Sequence, residues 1–318
     1  MLAPATVYDR IAAQSSLNET AAASLWIDSR CTLGEGIIWS ERRGSLLWSD
    51  IQSRRLWQHS LYTNAVRTWT LPDRLGALAE CESGKLLLGF TKQFCIAPLY
   101  DEHPPGMLGC TPLVSVESFR ASTRVNDGRT DRAGNFVFGT LNEHADKLPI
   151  GNFYQFSFHR GLRRLDLPSV VIPNSICFSP DGRTMYFCDS LERRIMRCDY
   201  DAAEAKVANV REFVRFAGDQ GLPDGSVIDT DGCLWNAEWG TAMVRRYTPC
   251  GAMDCAIAVP TKNPTCVVFG GSRLDELYVT SSRQEMSLEE LESTQHAGGV
   301  YRVLPGVTGI PDRTFKDS

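Results

Sequence analysis

The chain has 318 residues, with 33 Lys plus Arg against 38 Asp plus Glu, a formal charge of −5 and 43% hydrophobic residues. This balance excludes a general nucleic-acid binder, a wholesale binder of anionic membranes and a chain disordered throughout. No apolar run approaches the roughly 18 residues of a membrane helix, and at roughly 150 residues per domain the length alone suggests two domains.

Residues 1–24 read as a peripheral extension. Asp9 and Arg10 interrupt the mildly apolar opening, and no apolar core of a secretory signal precedes Ala21–Ala23. From about residue 33 onward, short β-branched and aromatic runs alternate with Gly, Asp, Asn and Pro turns, without helical periodicity of any length. The first unit opens at Gly34-Glu35-Gly36-Ile37-Ile38-Trp39, the second at Gly76-Ala77-Leu78-Ala79 and the third at Val125-Asn126-Asp127-Gly128. The fourth opens at Pro173-Asn174-Ser175-Ile176, turns at Ser179-Pro180-Asp181-Gly182, and continues through Thr184–Asp189 and Arg194–Tyr200. The fifth repeats that plan from Pro223-Asp224-Gly225-Ser226, and the sixth opens at Pro264-Thr265-Cys266-Val267. Within the sixth, Ser287–Gln295 reads as a surface loop or short helix, and Gly298-Gly299 precedes a last strand at Val300–Val303.

Taking Glu35, Ala77, Asn126, Asn174, Asp224 and Thr265 as equivalent, the intervals are 42, 49, 48, 50 and 41 residues. A period in this range, with two strands about a turn and then a strand rich in Arg or Tyr, marks four-stranded propeller blades. A β-sandwich would not require such even spacing. A blade alone cannot bury both faces, so the expected fold is all-β: one six-bladed β-propeller over residues 25–318, closed by a chain terminus pairing into a terminal blade. The two-domain reading fails on this count.

In a propeller, residues at the entrance of each innermost strand converge on the axis. Here they are two carboxylates, two carboxamides and two small residues, an oxygen donor set that suits a hard divalent cation. Singly, Asn126-Asp127-Gly128 or Asp224-Gly225 would read as turns; recurrence at one position of the repeat argues otherwise. Asp181-Gly182 and Asp231-Gly232 fall at hairpin tips instead.

Other chemistries lack their signatures. No G-x-S-x-G, P-loop, G-x-G-x-x-G or HExxH is present. His59, His103, His144, His159 and His296 show no ligand spacing, although His144 follows Glu143 and could reach a pocket rim. Trp239, at the end of an inner strand, reads as blade core or as a flat stacking surface for a ligand. Eleven cysteines without a CxxC pair point to a reducing cytoplasm, and Cys177, Cys188 and Cys198 within strands read as small buried hydrophobes.

The ordered motifs Leu33-Gly34-Glu35-Gly36 with Trp39, Arg124-Val125-Asn126-Asp127-Gly128, Gly139-Thr140 with Glu143, Pro173-Asn174-Ser175, Pro223-Asp224-Gly225, and Phe269-Gly270-Gly271 with Tyr278-Val279-Thr280 resemble the SMP-30/gluconolactonase family, the regucalcin-like sugar lactonases. The likeness spans about residues 30–305 and implies a six-bladed propeller. It further implies one divalent metal ion (Ca, Zn, Mn, Mg or Fe(II)) on Glu35, Asn174 and Asp224, with Arg124, Asn126 and Glu143 binding sugar hydroxyls. Ser175-Ile176 departs from the Gly-Leu of one branch of the family, and Gly139-Thr140-Leu141-Asn142-Glu143 departs from its usual residues, while the metal positions are unchanged.

The implied reaction is metal-dependent hydrolysis of an aldonolactone such as glucono-, galactono-, arabino- or xylono-lactone. A cation suits the oxyanion of lactone hydrolysis, Asp224 suits the role of general base or of metal ligand alone, and Asn126 could orient the water or the substrate. The alternatives are an organophosphate or aryl-ester hydrolase on the same propeller, and a calcium-binding or protein-interaction propeller without catalysis. The expected partner is a small-molecule sugar lactone, with no nucleic acid or membrane, for a cytoplasmic monomer or weak homodimer.

Overall fold

Runs such as Leu46-Leu47-Trp48 and Leu86-Leu87-Leu88 are buried at every position rather than at alternate ones, so the strands that carry them need cover on both faces. The computed structural model, which describes residues 22–100, 106–218 and 220–318, supplies that cover by stacking six four-stranded antiparallel sheets around one axis. After β1 (Ser24–Ile27), blade 1 comprises β2 (Gly34–Ser40), β3 (Ser45–Asp50), β4 (Arg55–Ser60) and β5 (Val66–Thr70). Blade 2 comprises β6 (Leu75–Glu80), β7 (Leu86–Phe90), β8 (Gln93–Ala97) and β9 (Thr111–Ser115). Blade 3 comprises β10 (Thr123–Thr130), β11 (Phe136–Asn142), β12 (Phe153–Ser157) and β13 (Gly161–Arg164). Blade 4 comprises β14 (Pro173–Phe178), β15 (Thr184–Asp189), β16 (Arg194–Asp201) and β17 (Lys206–Arg215). Blade 5 comprises β18 (Leu222–Ile228), β19 (Leu234–Trp239), β20 (Met243–Tyr247) and β21 (Met253–Ala258). Blade 6 has β22 (Asn263–Gly270), β23 (Glu276–Ser282) and β24 (Val300–Val303), and its outermost strand is β1.

The core is correspondingly divided. Six apolar clusters each fill the gap between two neighbouring blades, as where Phe94 of blade 2 meets Phe136 and Phe138 of blade 3, or Trp235 of blade 5 meets Phe269 of blade 6. The ring closes as expected, by a terminal strand: β1 pairs antiparallel with β24, Leu25 opposite Tyr301. Of the stretch 1–24 expected to be peripheral, residues 1–21 lie outside the described residues. Ala22 to Ser24 are not peripheral: Ala22 bridges to Ala258, the Ala23 N–H donates to the Ala258 carbonyl at 2.8 Å, and Ser24 lies in β1. These residues complete edges that blades 5 and 6 would otherwise leave unpaired.

Two smaller features follow local sequence. Ser287 caps helix α1 (Leu288–Ser293), with Glu290 completing a capping box. Asp181-Gly182 and Asp231-Gly232 stand in hairpin turns, both glycines at positive φ (72° and 77°). Among the described residues, no helix is long and apolar enough to cross a membrane.

The C-terminal segment has a role the repeat does not announce. After β24 it crosses the far end of the central channel: the Gly309 N–H donates to the Leu274 carbonyl at 2.7 Å, Asp312 takes two bonds from Arg129 Nη1 at 2.9 and 2.8 Å, and the Phe315 N–H donates to the Glu80 carbonyl at 2.8 Å. It thereby ties blades 2, 3 and 6 across one face.

Candidate active site

Each inner strand breaks its ladder at the same place. The register slips between Glu35 and Ile38, Leu75 and Ala77, Val125 and Gly128, Asn174 and Cys177, Pro223 and Ser226, and Pro264 and Val267. Such a bulge bends the strand and re-aims side chains, which is how polar residues of largely buried strands come to face the channel mouth. The blades approach closely here. A Cβ on Gly76 would lie 2.2 Å from the Val125 carbonyl oxygen, so that position admits only glycine.

At the mouth of the channel, Glu35, Arg124, Asn126, Glu143, Asn174 and Asp224 line one basin of about 350 Å³. All six residues expected at the site from sequence are therefore brought together, from blades 1, 3, 4 and 5. Leu33, Leu141, Ile172, Leu191 and Leu222 supply apolar wall, and half-buried Trp239 is also among the lining residues. The other two aligned positions do not reach it. Ala77 packs in the core between blades 2 and 3, and Thr265 is buried with its hydroxyl donating to the Gly34 carbonyl at 2.5 Å, fastening blade 6 to blade 1. His144 is exposed beside Asp146 and is not among the basin residues.

The polar groups are held in a chain. Arg124 donates from Nη1 to the Val125 carbonyl and to Asn126 Oδ1, both at 2.9 Å, and from Nε to Glu143 Oε1 at 3.3 Å. Asn126 in turn donates from Nδ2 to the Pro173 carbonyl at 2.9 Å and to Asn174 Oδ1 at 3.1 Å. Asn174 Nδ2 donates to Ser190 Oγ at 2.9 Å, and Ser190 Oγ donates to the Pro223 carbonyl at 2.7 Å. The amide oxygens of Asn126 and Asn174 are thus assigned by their neighbours. Ser190 and Arg74, whose guanidinium meets Glu143, were missed from sequence. Neither falls at the repeating inner-strand position.

The carboxylates are under strain of another kind. Half-buried Glu35 and buried Asp224 share one basin, and the Asp224 Oδ1 atom has no hydrogen-bond partner. Burial, then the charge of Asp127, pushes Glu35 up to about 8; burial, then Glu35 and Asp127, raises Asp224 well above the carboxylate range. An unpartnered buried carboxylate oxygen facing a second carboxylate is costly unless a cation compensates it. Among the described residues no three His, Cys, Asp or Glu side chains converge on one point, so nitrogen- or sulfur-rich sites do not arise. Two carboxylates with amide oxygens fit a hard, oxygen-loving divalent ion.

Comparison with known proteins gives a consistent picture. Residues 33–283 match the family model described as SMP-30/gluconolactonase/LRE-like region. L-arabinolactonase of Azospirillum brasilense is 42% identical over 94% of this chain and 97% of its own length. 6-deoxy-6-sulfogluconolactonase of Pseudomonas putida is 33% identical over 89% and 94%. The calcium-binding protein regucalcin of Agrobacterium tumefaciens superposes with a TM-score of 0.85 at 28% identity, covering 93% of this chain and 98% of that one.

Proposed function

From the chain's place in the SMP-30/gluconolactonase/LRE-like family, to which it belongs by a model match over residues 33–283 and by 42% identity to a relative, we infer that it is a metal-dependent sugar lactonase. The observation that carries this reading is the basin itself, where buried oxygen ligands and a buried guanidinium meet at an opening large enough for a sugar ring. The relatives named L-arabinolactonase and 6-deoxy-6-sulfogluconolactonase support an aldonolactone as substrate, with L-arabinonolactone the first to test.

Glu35, Asn174 and Asp224 are the residues we assign to the divalent ion. Bound there, the ion would supply Lewis-acid polarisation of the lactone carbonyl and stabilise the oxyanion of hydrolysis. Asp224 is also the residue we assign to the attacking water, whose proton its carboxylate takes. That proton passes to the ring oxygen as the ester C–O bond breaks, giving the hydroxy acid. Arg124 spends Nε and Nη1 on the protein, and we assign its Nη2 to a substrate hydroxyl. Asn126, fixed by three hydrogen bonds, orients water and substrate. Trp239 offers an apolar ring face to the sugar. Every cysteine is a free thiol, which supports a cytoplasmic setting, and the reading needs only a monomer or weak homodimer.

The test is proton release from L-arabinono-, D-glucono-, D-galactono- and D-xylono-lactone, before and after chelation and after return of each ion. We expect turnover that chelation abolishes and an ion restores. Asp224→Asn should lower both ion affinity and kcat on every lactone. Arg124→Ala should keep the ion and lower kcat/KM by roughly 10- to 150-fold, the loss of a charge-assisted hydrogen bond of about 1.5–3 kcal/mol. Absence of metal-dependent turnover on all four lactones would overturn the lactonase reading and leave ester and organophosphate substrates to be assayed.

A further inference from the structure

Arg74 lies in the connection from blade 1 to blade 2, far in sequence from the basin residues, yet its guanidinium closes on one of them. Nη1 and Nη2 donate to the two oxygens of Glu143 at 2.5 and 2.7 Å, the two-pronged geometry that a planar guanidinium and a carboxylate share. Glu143 Oε1 also accepts from Arg124 Nε at 3.3 Å, so one carboxylate is shared by two arginines from different blades. Of the roughly four lone-pair sites on a carboxylate, three are taken by arginine donors.

The three side chains differ in freedom. The Arg124 side chain is 7% exposed and fixed within the basin, whereas that of Glu143 is 32% exposed and opens a rim segment whose residues through Lys147 are exposed. A rim carboxylate with one long bond to a buried arginine would be free to turn toward water. With both oxygens engaged by Arg74, its plane is set and the edge it presents to Arg124 is determined. Burial works to raise Glu143, but the bonds from Arg74 and the charges of Arg124 and Arg74 outweigh it and hold the carboxyl below its ordinary range, so the counter-charge persists. Burial also lowers Arg124, to about 10, which makes a fixed carboxylate beside it matter more.

We propose that Arg74 is a positioning residue for the substrate-facing guanidinium of Arg124, acting through Glu143. Glu143 thereby serves chiefly to hold Arg124 rather than to grip a sugar hydroxyl. The proposal rests on the reading of the basin as a lactone site, and its test separates the two.

On the lactone the wild-type protein hydrolyses best, Arg74→Ala should lower kcat/KM on the order of 5- to 30-fold, less than loss of Arg124 itself, with most of the change in KM. Ion content should stay intact. In an Arg124→Ala background, Arg74→Ala should add less than about 2-fold, because the residue it positions is gone. Arg74→Lys should restore the activity only in part, since an ammonium keeps the charge and loses the fork. Independently of turnover, the ¹⁵Nε resonance of Arg124, assigned by its loss in Arg124→Ala, should be protected from solvent exchange in the wild type and exposed in both Arg74→Ala and Arg74→Lys. Losses that multiply in the double variant, or an Arg124 Nε signal indifferent to Arg74, would each overturn the proposal. A wild-type protein inactive on every lactone would instead refute the lactonase reading, while the Nε spectrum still decides the role of Arg74.

Discussion

Ser175 shows what a single residue can conceal in a sequence. It stands where one branch of the family has glycine, and its φ of +59° lies in the left-handed region that disfavours a side chain. Its hydroxyl donates to the Asp224 carbonyl at 2.6 Å and accepts from Asn236 Nδ2 at 3.0 Å, so the strain is offset by ties that hold blade 4 to the backbone of the basin's aspartate. Ser175 itself is not among the residues that line the basin. The same residue scale carries a pH dependence. Glu35 and Asp224 are raised in the fold relative to an unfolded chain, so the metal-free folded protein binds more protons than the unfolded one between the two sets of values, and stability must fall as pH rises through that window. For Glu35 the window runs from its ordinary value of 4.5 to about 8. Thermal melts of chelated protein should therefore show a midpoint that declines from pH 5 to pH 8, and added divalent ion should raise it more at pH 8 than at pH 5. A metal-free midpoint flat across that range would show that the two carboxylates are compensated without a cation.

At the level of the strand, what was legible was whatever a blade encodes within itself. Even spacing and the Gly, Asn or Asp near the heads of the inner strands brought out Glu35, Asn126, Asn174 and Asp224, which the recurring bulge gathers in one basin, while the equivalent Ala77 and Thr265 stay in the core. Arg124 and Glu143 came from resemblance, not spacing. Arg74 and Ser190 escaped both, since a connection between blades and a short 3-10 turn obey no repeat. Closure by a chain end was foreseen, but not which residues do it. Trp26 of β1 is the clearest: its indole N–H donates to His59 Nδ1 of blade 1 at 3.1 Å, its ring meets Tyr278 of β23 edge-on at 6.1 Å, and Arg302 of β24 lies over it at 4.8 Å. One side chain therefore bridges the last blade and the first. Trp26→Ala should cost about 2–4 kcal/mol, somewhat less than the roughly 3–5 kcal/mol of a fully buried aromatic because Trp26 is only half-buried. Loosening β1 also frees the edge of β24, so self-association on size-exclusion chromatography should accompany the lowered melting midpoint. An unchanged midpoint with a monodisperse profile would mean that backbone pairing alone latches the ring.

Across the whole molecule, function and stability are assigned to opposite ends of one channel. Along β10, Arg124 and Asn126 line the basin, whereas Arg129, five residues on from Arg124 and about 16.5 Å along the strand at roughly 3.3 Å per residue, pairs with Asp312 of the C-terminal segment. That segment lies beyond the last repeating strand and carries no repeat signature, because its partners exist only once six blades have closed. Its anchor is Phe315, fully buried, stacked on Phe156 of blade 3 at 5.3 Å within the apolar cluster shared by blades 2 and 3. A six-membered ring held by nearest-neighbour contacts gains from any strap that crosses it, since opening one interface must then also break the strap. Phe315→Ala should cost about 3–5 kcal/mol by cavity formation, a fall of about 6–10 °C in the melting midpoint at roughly 2 °C per kcal/mol for a chain of this size. The basin, facing the other way, should keep its lactone kcat and KM at temperatures well below that midpoint. Loss of turnover at 25 °C in a variant that remains folded by circular dichroism would show that the strap also sets the basin's geometry, and the division between the two ends would fail.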